Sequence, residues 1–292
     1  PDASHAAHMP SHIYLALGLW DEVIKSNMQA WESGKERIRQ HKLVFDDHDV
    51  HDLHALLWLQ YGYLEKGELA TAQELLKTME EMTKLVNNPK FKWYYTQMRA
   101  AQIVASNKYD DIPPPVDMKD VELSAVANNY QANAILAIAK GENIEPLITE
   151  LSALLNEKQK DFERQKEPGI DYFTSIHKEG IDSAKIVLLQ MKALDQRAKN
   201  KTEQAYKTIE DAITIEDAIP LGYGPPLPSK PSKEFLGDFL LQDKQYLKAC
   251  QTFQEVLLGM PNRREALLKL NTIDKSLRCP KKENIFFHRL ME

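Results

Sequence analysis

Glycine is scarce in this chain, 11 residues in 292, and no run of alternating β-branched residues is present anywhere. Strands and tight hairpins need both, so the composition, led by Leu, Ala, Lys, Glu and Gln, leans helical. Cysteine is scarcer still. The two that occur, Cys250 and Cys279, have no metal-ligand spacing and build no framework. Cys250 falls among apolar residues on a predicted helix and reads as a small core hydrophobe, which leaves the redox compartment undetermined. No apolar stretch approaches the length of a membrane span, and no signal peptide is visible. The chain begins at Pro1 and enters a helical pattern directly, so a fragment or processed form is expected. A cluster of basic residues is also missing: the net charge is −6, and Lys and Arg are interspersed with Asp and Glu. Nucleic acid is therefore not an expected partner. There is no Gly-rich phosphate loop, no nucleophile elbow and no Cys/His pair at plausible spacing, and no catalytic residue is assigned.

What is present is a folding composition, 43% hydrophobic and 27% charged, in a chain long enough to bury a sizeable core. Within it the sequence repeats itself. The unit resembles the tetratricopeptide repeat, a helix pair with small residues where helices cross closely and large ones filling the groove between pairs. In "KEFLGDFLLQDKQYLKACQTFQEVLLGMP", Leu236 and Gly237 form the mid-helix pair, with Leu240, Tyr246, Ala249, Phe253, Val256 and Pro261 at the later positions. A second copy has Leu59, Tyr63, a turn at Gly67, then Leu69, Ala72, Leu76 and Met79; the opening stretch supplies a third around Gly18.

Weaker copies lie between these. One first helix starts at "WYYTQ", after which "IPPPV" at 112–116 breaks the chain and displaces the expected partner helix. Further pairs turn at Gly141 and at Asn200. Turn spacings are mostly longer than the roughly 34 residues of the standard repeat, so some helices must overrun. The expected fold is all-α, a right-handed α-solenoid of tetratricopeptide-like helix pairs with roughly ten to thirteen helices. Its expected divisions are N-terminal repeats with a histidine-rich groove over 1–111 and irregular pairs over 112–219. A Pro/Gly-rich loop over 220–232 and a C-terminal repeat with its tail over 233–292 follow. The loop, "PLGYGPPLPSKPS", cannot be helix. It reads either as a spacer between repeats or as a cover folded back over the concave surface, where Tyr223 would shape a pocket.

Histidine supplies the candidate chemistry. Seven of nine fall in the first fifth of the chain: His5, His8, His12, His41, His48, His51 and His54. With the first helix framed from Ser4 by the turn at Gly18, His5, His8 and His12 lie within an arc of about 60° on one face. His54 is the counterpart of His5 on the next first helix, with His51 one turn earlier. Adjacent helices pack about 8–10 Å apart, so imidazoles from both can meet. The candidate metal ligands are His5, His8, His12, His51 and His54. Asp47, Asp49 and Asp52 stand near as oxygen donors, suiting zinc, iron, manganese or copper. Set against this, groove histidines serve equally to hydrogen-bond a ligand or one another, and Asp49 to cap a helix. Pro10 offers a further alternative, a helix starting at Met9 with His5 and His8 in a preceding turn. Tyr61, Trp93, Tyr94 and Tyr223 are the candidate groove residues.

"PDASHAAHMPSHIYLALGLWDEVIKSN" resembles the opening block of a group of bacterial tetratricopeptide repeat proteins marked by an "HMPSHI" motif. "HDLHALLWLQYGYLEKG" and "GPPLPSKPSKEFLGDFLLQ" with "PNRREALLKL" are similar to later blocks of the same family. The resemblance implies a repeat architecture, an additional N-terminal half, and export to the cell envelope or periplasm, but no reaction. On this reading the chain is a scaffold binding a peptide, protein or small ligand in its concave groove. The alternative is a divalent-metal protein or metal-dependent hydrolase, with Asp49 or Asp52 as ligand or base.

Overall fold

The computed structural model describes residues 3–43, 50–106, 109, 111–164, 172–220, 222 and 224–277. Among the described residues there are thirteen α-helices and no strand. They are α1 (Ala3–His8), α2 (Ser11–Ala16), α3 (Trp20–His41), α4 (Val50–Lys66), α5 (Leu69–Leu85), α6 (Pro89–Ala105) and α7 (Leu123–Ala139). There follow α8 (Glu145–Arg164), α9 (Tyr172–Ala198), α10 (Thr202–Asp217), α11 (Ser232–Gln242), α12 (Tyr246–Gly259) and α13 (Arg264–Leu277).

The turns sit where the pattern places them. Gly18, Gly67, Gly141 and Asn200 have φ of +65°, +80°, +73° and +58°, and a fifth left-handed residue is Lys244 at +58°. Each is followed by an N–H that reaches back five residues, Leu19 to Tyr14, Glu68 to Tyr63, Glu142 to Ala137, Lys201 to Gln196 and Gln245 to Leu240, all at 2.8–2.9 Å. This 6→1 bond satisfies a carbonyl that the helix end leaves without a partner. The same device ends α3, where Lys42 has φ of +51° and the Leu43 N–H reaches Ile38 at 3.1 Å, so it terminates six helices. Small residues mark close crossings: a Cβ on Gly237 would lie 2.5 Å from the Phe253 ring of α12.

Helices α4, α6, α7 and α9 contact one another in succession, while α3, α5, α8 and α10 each pack against a sequence neighbour. Between α6 and α7 the described residues form no helix. Residues 112–118 have no regular secondary structure, and the Pro113 and Pro114 carbonyls accept from Arg99 Nε and the Tyr95 hydroxyl of α6. The prolines donate nothing to a helix, and α6 uses their carbonyls instead.

The first helix is not continuous. Met9 and Pro10 interrupt it between α1 and α2, because Pro10 has no N–H for the preceding turn. The frame from Ser4 therefore describes two short helices, with His5 and His8 on one and His12 on the other.

Residues 229–232 of the Pro/Gly-rich loop bond to α7 and α9. Its Ser229 and Lys230 amides donate to Asn128 Oδ1 and Gln131 Oε1 of α7, both at 2.9 Å, and Ser232 Oγ accepts from Gln190 of α9 at 2.9 Å. Asn128, Gln131 and Gln190 are buried, so each is a helical position where an amide replaces an apolar residue to meet the loop. Leu227–Pro228 is a cis peptide.

The last pair also returns to the first. The Trp20 indole donates to the Asn262 carbonyl at 2.9 Å, and Asn262 Nδ2 donates to the Gly18 carbonyl at 3.2 Å. A Cβ at Gly18 would lie 2.1 Å from the Pro261 carbonyl oxygen, so this contact as well as the turn requires glycine. Helix α13 touches α4 directly.

Candidate metal centre and adjoining cavity

Three of the five candidate histidines come together. The ring nitrogens of His8, His12 and His54, from α1, α2 and α4, offer ligand atoms that all lie within 4.8 Å of one another. Trp58, one turn after His54 on α4, backs the group, with ring centroids 5.0, 4.5 and 5.3 Å from those of His8, His12 and His54. Trp58 and His8 are each 1% exposed, so the cluster has a dry base.

The tautomer of His8 follows from its neighbour. Asn27 of α3 donates its Nδ2 to the Val23 carbonyl at 2.7 Å, which turns its Oδ1 toward His8 Nδ1 at 2.6 Å. An amide oxygen only accepts, so Nδ1 carries a proton, and in the neutral ring Nε2 holds the lone pair. That Nε2 faces His12 Nε2 at 3.1 Å. Two nitrogens on a tetrahedral zinc, each at about 2.05 Å, are separated by about 3.3 Å. The pair is spaced for one shared cation, or for one hydrogen bond if His12 supplies the proton.

The other expected ligands are placed differently. His5 is half-buried on α1 and is not a member of the three-histidine group. Asp52 is buried against Gly34 and is held by Ser4 Oγ at 2.7 Å and Arg37 Nη2 at 2.9 Å, so its carboxylate ties α1 and α3 to α4. The side chain of His51 and the whole of His48, Asp47, Asp49 and Tyr223 lie outside the described residues.

Beside the cluster is a cavity of about 140 Å³. His54, Trp58 and Tyr61 of α4 and Trp93, Gln97 and Ala101 of α6 form two walls, each a stripe at three- and four-residue spacing. Residues 224–227 of the loop and 263–265 close the rest. Of the candidate groove residues, Tyr61 and Trp93 line this cavity. Tyr94 instead is buried in the core with Phe91 and Met98, its ring centroid 6.4 Å from that of His54.

Residues 263–265 bring a buried charge cluster that sequence reasoning missed. All five N–H groups of Arg263 are used: Nε to Glu234 at 2.8 Å, Nη1 to Tyr61 and Glu65 at 2.7 and 2.9 Å, and Nη2 to the Ser229 carbonyl and Glu234 at 3.1 and 3.2 Å. Burial tends to lower the Arg263 pKa, but Glu234, Tyr61 and Glu65 outweigh it and raise it. Burial is the larger influence on Glu65 and lifts its carboxyl above the usual range, with Arg263 pulling the other way. Burial likewise lifts the Tyr61 hydroxyl. The sequence signal was "PNRREAL", two arginines directly after a turn, and the amides of the inner helices at otherwise apolar positions.

No helix among the described residues is long and apolar enough to cross a membrane. No family model, curated protein or solved structure matches the chain.

Proposed function

We propose that the chain is a tetratricopeptide-type repeat protein, wound as a right-handed solenoid, that binds a divalent transition metal at His8, His12 and His54. The convergence of three imidazoles from three helices within 4.8 Å carries this reading. Its second support is the Asn27 carbonyl oxygen, which holds His8 in the tautomer a metal ligand needs, as outer-shell partners of metal-bound histidines do. The donors are all nitrogen, and Asp52 is engaged by Ser4 and Arg37. That set favours zinc or copper over manganese, which prefers oxygen, and iron is the next candidate. Three protein ligands leave a coordination position for an exchangeable group. The resemblance of the "HMPSHI" block to a bacterial repeat family agrees with a site built on these histidines.

The inner face in this reading receives a small ligand in preference to a peptide strand, because residues 224–232 already lie across it and bond to α7 and α9. The test is metal analysis of untagged protein incubated with zinc or copper and dialysed, alongside His12→Gln and His54→Gln. About one equivalent retained by the unaltered chain and lost in both variants is expected. Failure of the unaltered chain to retain either metal, or equal retention in the variants, overturns the proposal. His12→Gln keeps the buried His8–Asn27 pair, so folding of that variant is expected.

A further inference from the structure

The three-histidine group and the cavity share a surface. His54 offers a ligand atom to the group and also lines the cavity, and the Trp58 indole that backs the group is part of the same wall. What the group lacks is negative charge. A metal-bound histidine is the neutral imidazole, and among the described residues no carboxylate joins the three rings. Asp52 is engaged by Ser4 and Arg37, and Glu65, the acidic residue of the α4 wall, by Arg263 and the Arg264 amide. A divalent ion held by these rings therefore keeps both of its charges over a dry base, where Trp58 and His8 are each 1% exposed. Charge held away from water needs a partner of opposite sign.

A second cation lines the cavity, and its place is different. The Arg264 side chain donates Nη1 to the Ala105 carbonyl at 3.3 Å and passes Gly67, where a Cβ would lie 3.1 Å from its Nε. Ala105 is the last residue of α6, and Gly67 follows the last residue of α4. The guanidinium thus stands at two helix C-termini, whose partial negative charge already favours a cation there. From His54 to Gly67 is about 20 Å of chain at the helical rise of about 1.5 Å per residue. Arg264 and the histidines are at opposite ends of the cavity, and only the histidine end lacks a source of negative charge.

Given a divalent ion at His8, His12 and His54, as proposed above, we infer that its exchangeable position and the cavity together form a binding site for a small organic monocarboxylate, with the carboxylate on the ion and the apolar body between α4 and α6. Three imidazoles and one carboxylate complete a tetrahedral ion, and the anion offsets half of its charge. Leu57, Leu64, Val104 and Pro225 are among the residues that line the cavity, which suits a hydrocarbon body. The volume of about 140 Å³ is close to that of an engineered apolar cavity, about 150 Å³, that takes up benzene, and limits that body to about the size of a six-membered ring.

The experiment uses the intact chain loaded with cobalt(II), whose visible absorption reports the ligands of the ion. It is titrated near neutral pH with benzoate, acetate and benzyl alcohol, with calorimetry on the same samples and on metal-free protein. Benzoate is expected to alter the cobalt spectrum and to bind about 30-fold more tightly than acetate, because its ring is buried. Benzyl alcohol, which has the ring without the charge, should leave the spectrum as it is, and metal-free protein should bind benzoate about tenfold more weakly or worse. Arg264→Met should bind benzoate as the unaltered chain does. Equal affinity for benzoate and acetate overturns the role of the cavity. Benzoate binding that is the same without metal, or that leaves the cobalt spectrum unchanged and is lost in Arg264→Met, places the anion away from the ion and overturns the inference. A cobalt spectrum that no probe alters removes this inference alone, whereas no cobalt spectrum removes the metal proposal and this inference with it.

Discussion

Replacing Arg263 with methionine tests the buried charge cluster and, with it, the return of the last helix pair to the first. The guanidinium reaches Tyr61 and Glu65 on α4, Glu234 on α11 and the Ser229 carbonyl of the loop, and it is 3% exposed. Methionine fills much of the same volume but leaves Glu65 and Glu234 buried without their cation. Breaking a buried pair by deleting one partner costs about 3–5 kcal/mol, and for a chain of this size that lowers the melting temperature by on the order of 10 °C. The loss depends on pH. Burial already raises the Glu65 pKa, with Arg263 pulling it back. Without Arg263 the folded value rises further while the unfolded value stays at about 4.3. A carboxyl whose folded pKa exceeds its unfolded one destabilises the fold above the unfolded value, and the cost grows until the folded pKa is passed. Urea denaturation of both proteins at pH 4.5 and pH 7.5 should therefore show a small difference at the lower pH and the full loss at the higher. Arg263→Lys, which keeps the charge but has three donors for five partners, should fall between. A loss below about 1 kcal/mol at pH 7.5, or one independent of pH, would refute the account, since an uncompensated buried carboxylate must cost more.

Two further predictions address other links in the argument. Asn27→Leu removes the acceptor that fixes the His8 tautomer, and metal affinity measured by competition with a chromogenic chelator should fall about 10- to 100-fold; unchanged affinity would dissociate Asn27 from the site. Gly237→Ala places a Cβ 2.5 Å from the Phe253 ring, and overpacking of about 1–3 kcal/mol should outweigh the gain of roughly 1 kcal/mol in helix propensity. Denaturation midpoints that rise in this variant would show that α11 and α12 do not cross as closely as described.

Much of the fold could be read along the chain, because it rests on local chemistry. The positive φ at Gly18, Gly67, Gly141 and Asn200 answers to residues that tolerate it. The break at 112–116 follows from consecutive prolines, and the small residue at Gly237 marks a helix crossing. The histidine group was partly legible for the same reason: period and turn frame place His8, His12 and His54 on facing sides of neighbouring helices. Pro10 was legible as a difficulty, and it does split the first helix into α1 and α2. Asp52 was misleading. Its place in the sequence next to His51 and His54 suggested a ligand, but position on a helix does not disclose the neighbour it meets, which is Arg37 of α3.

The sequence by itself determined that this chain is helical, where most of its helices turn, and which side chains carry candidate chemistry. All of these depend on residues within a turn or two of one another. Only the tertiary structure decided that the proline-rich loop bonds to α7 and α9. It likewise decided that Arg263 joins α4 to the last pair, and that a largely apolar cavity stands beside the histidines. Those features rest on hydrogen bonds between groups from 40 to more than 200 residues apart, such as Gln190 with Lys230, Ser229 with Asn128 and Arg263 with Tyr61. A buried amide or arginine is specified by the partner that satisfies it, and that partner is fixed by where the packed helices bring the chain together.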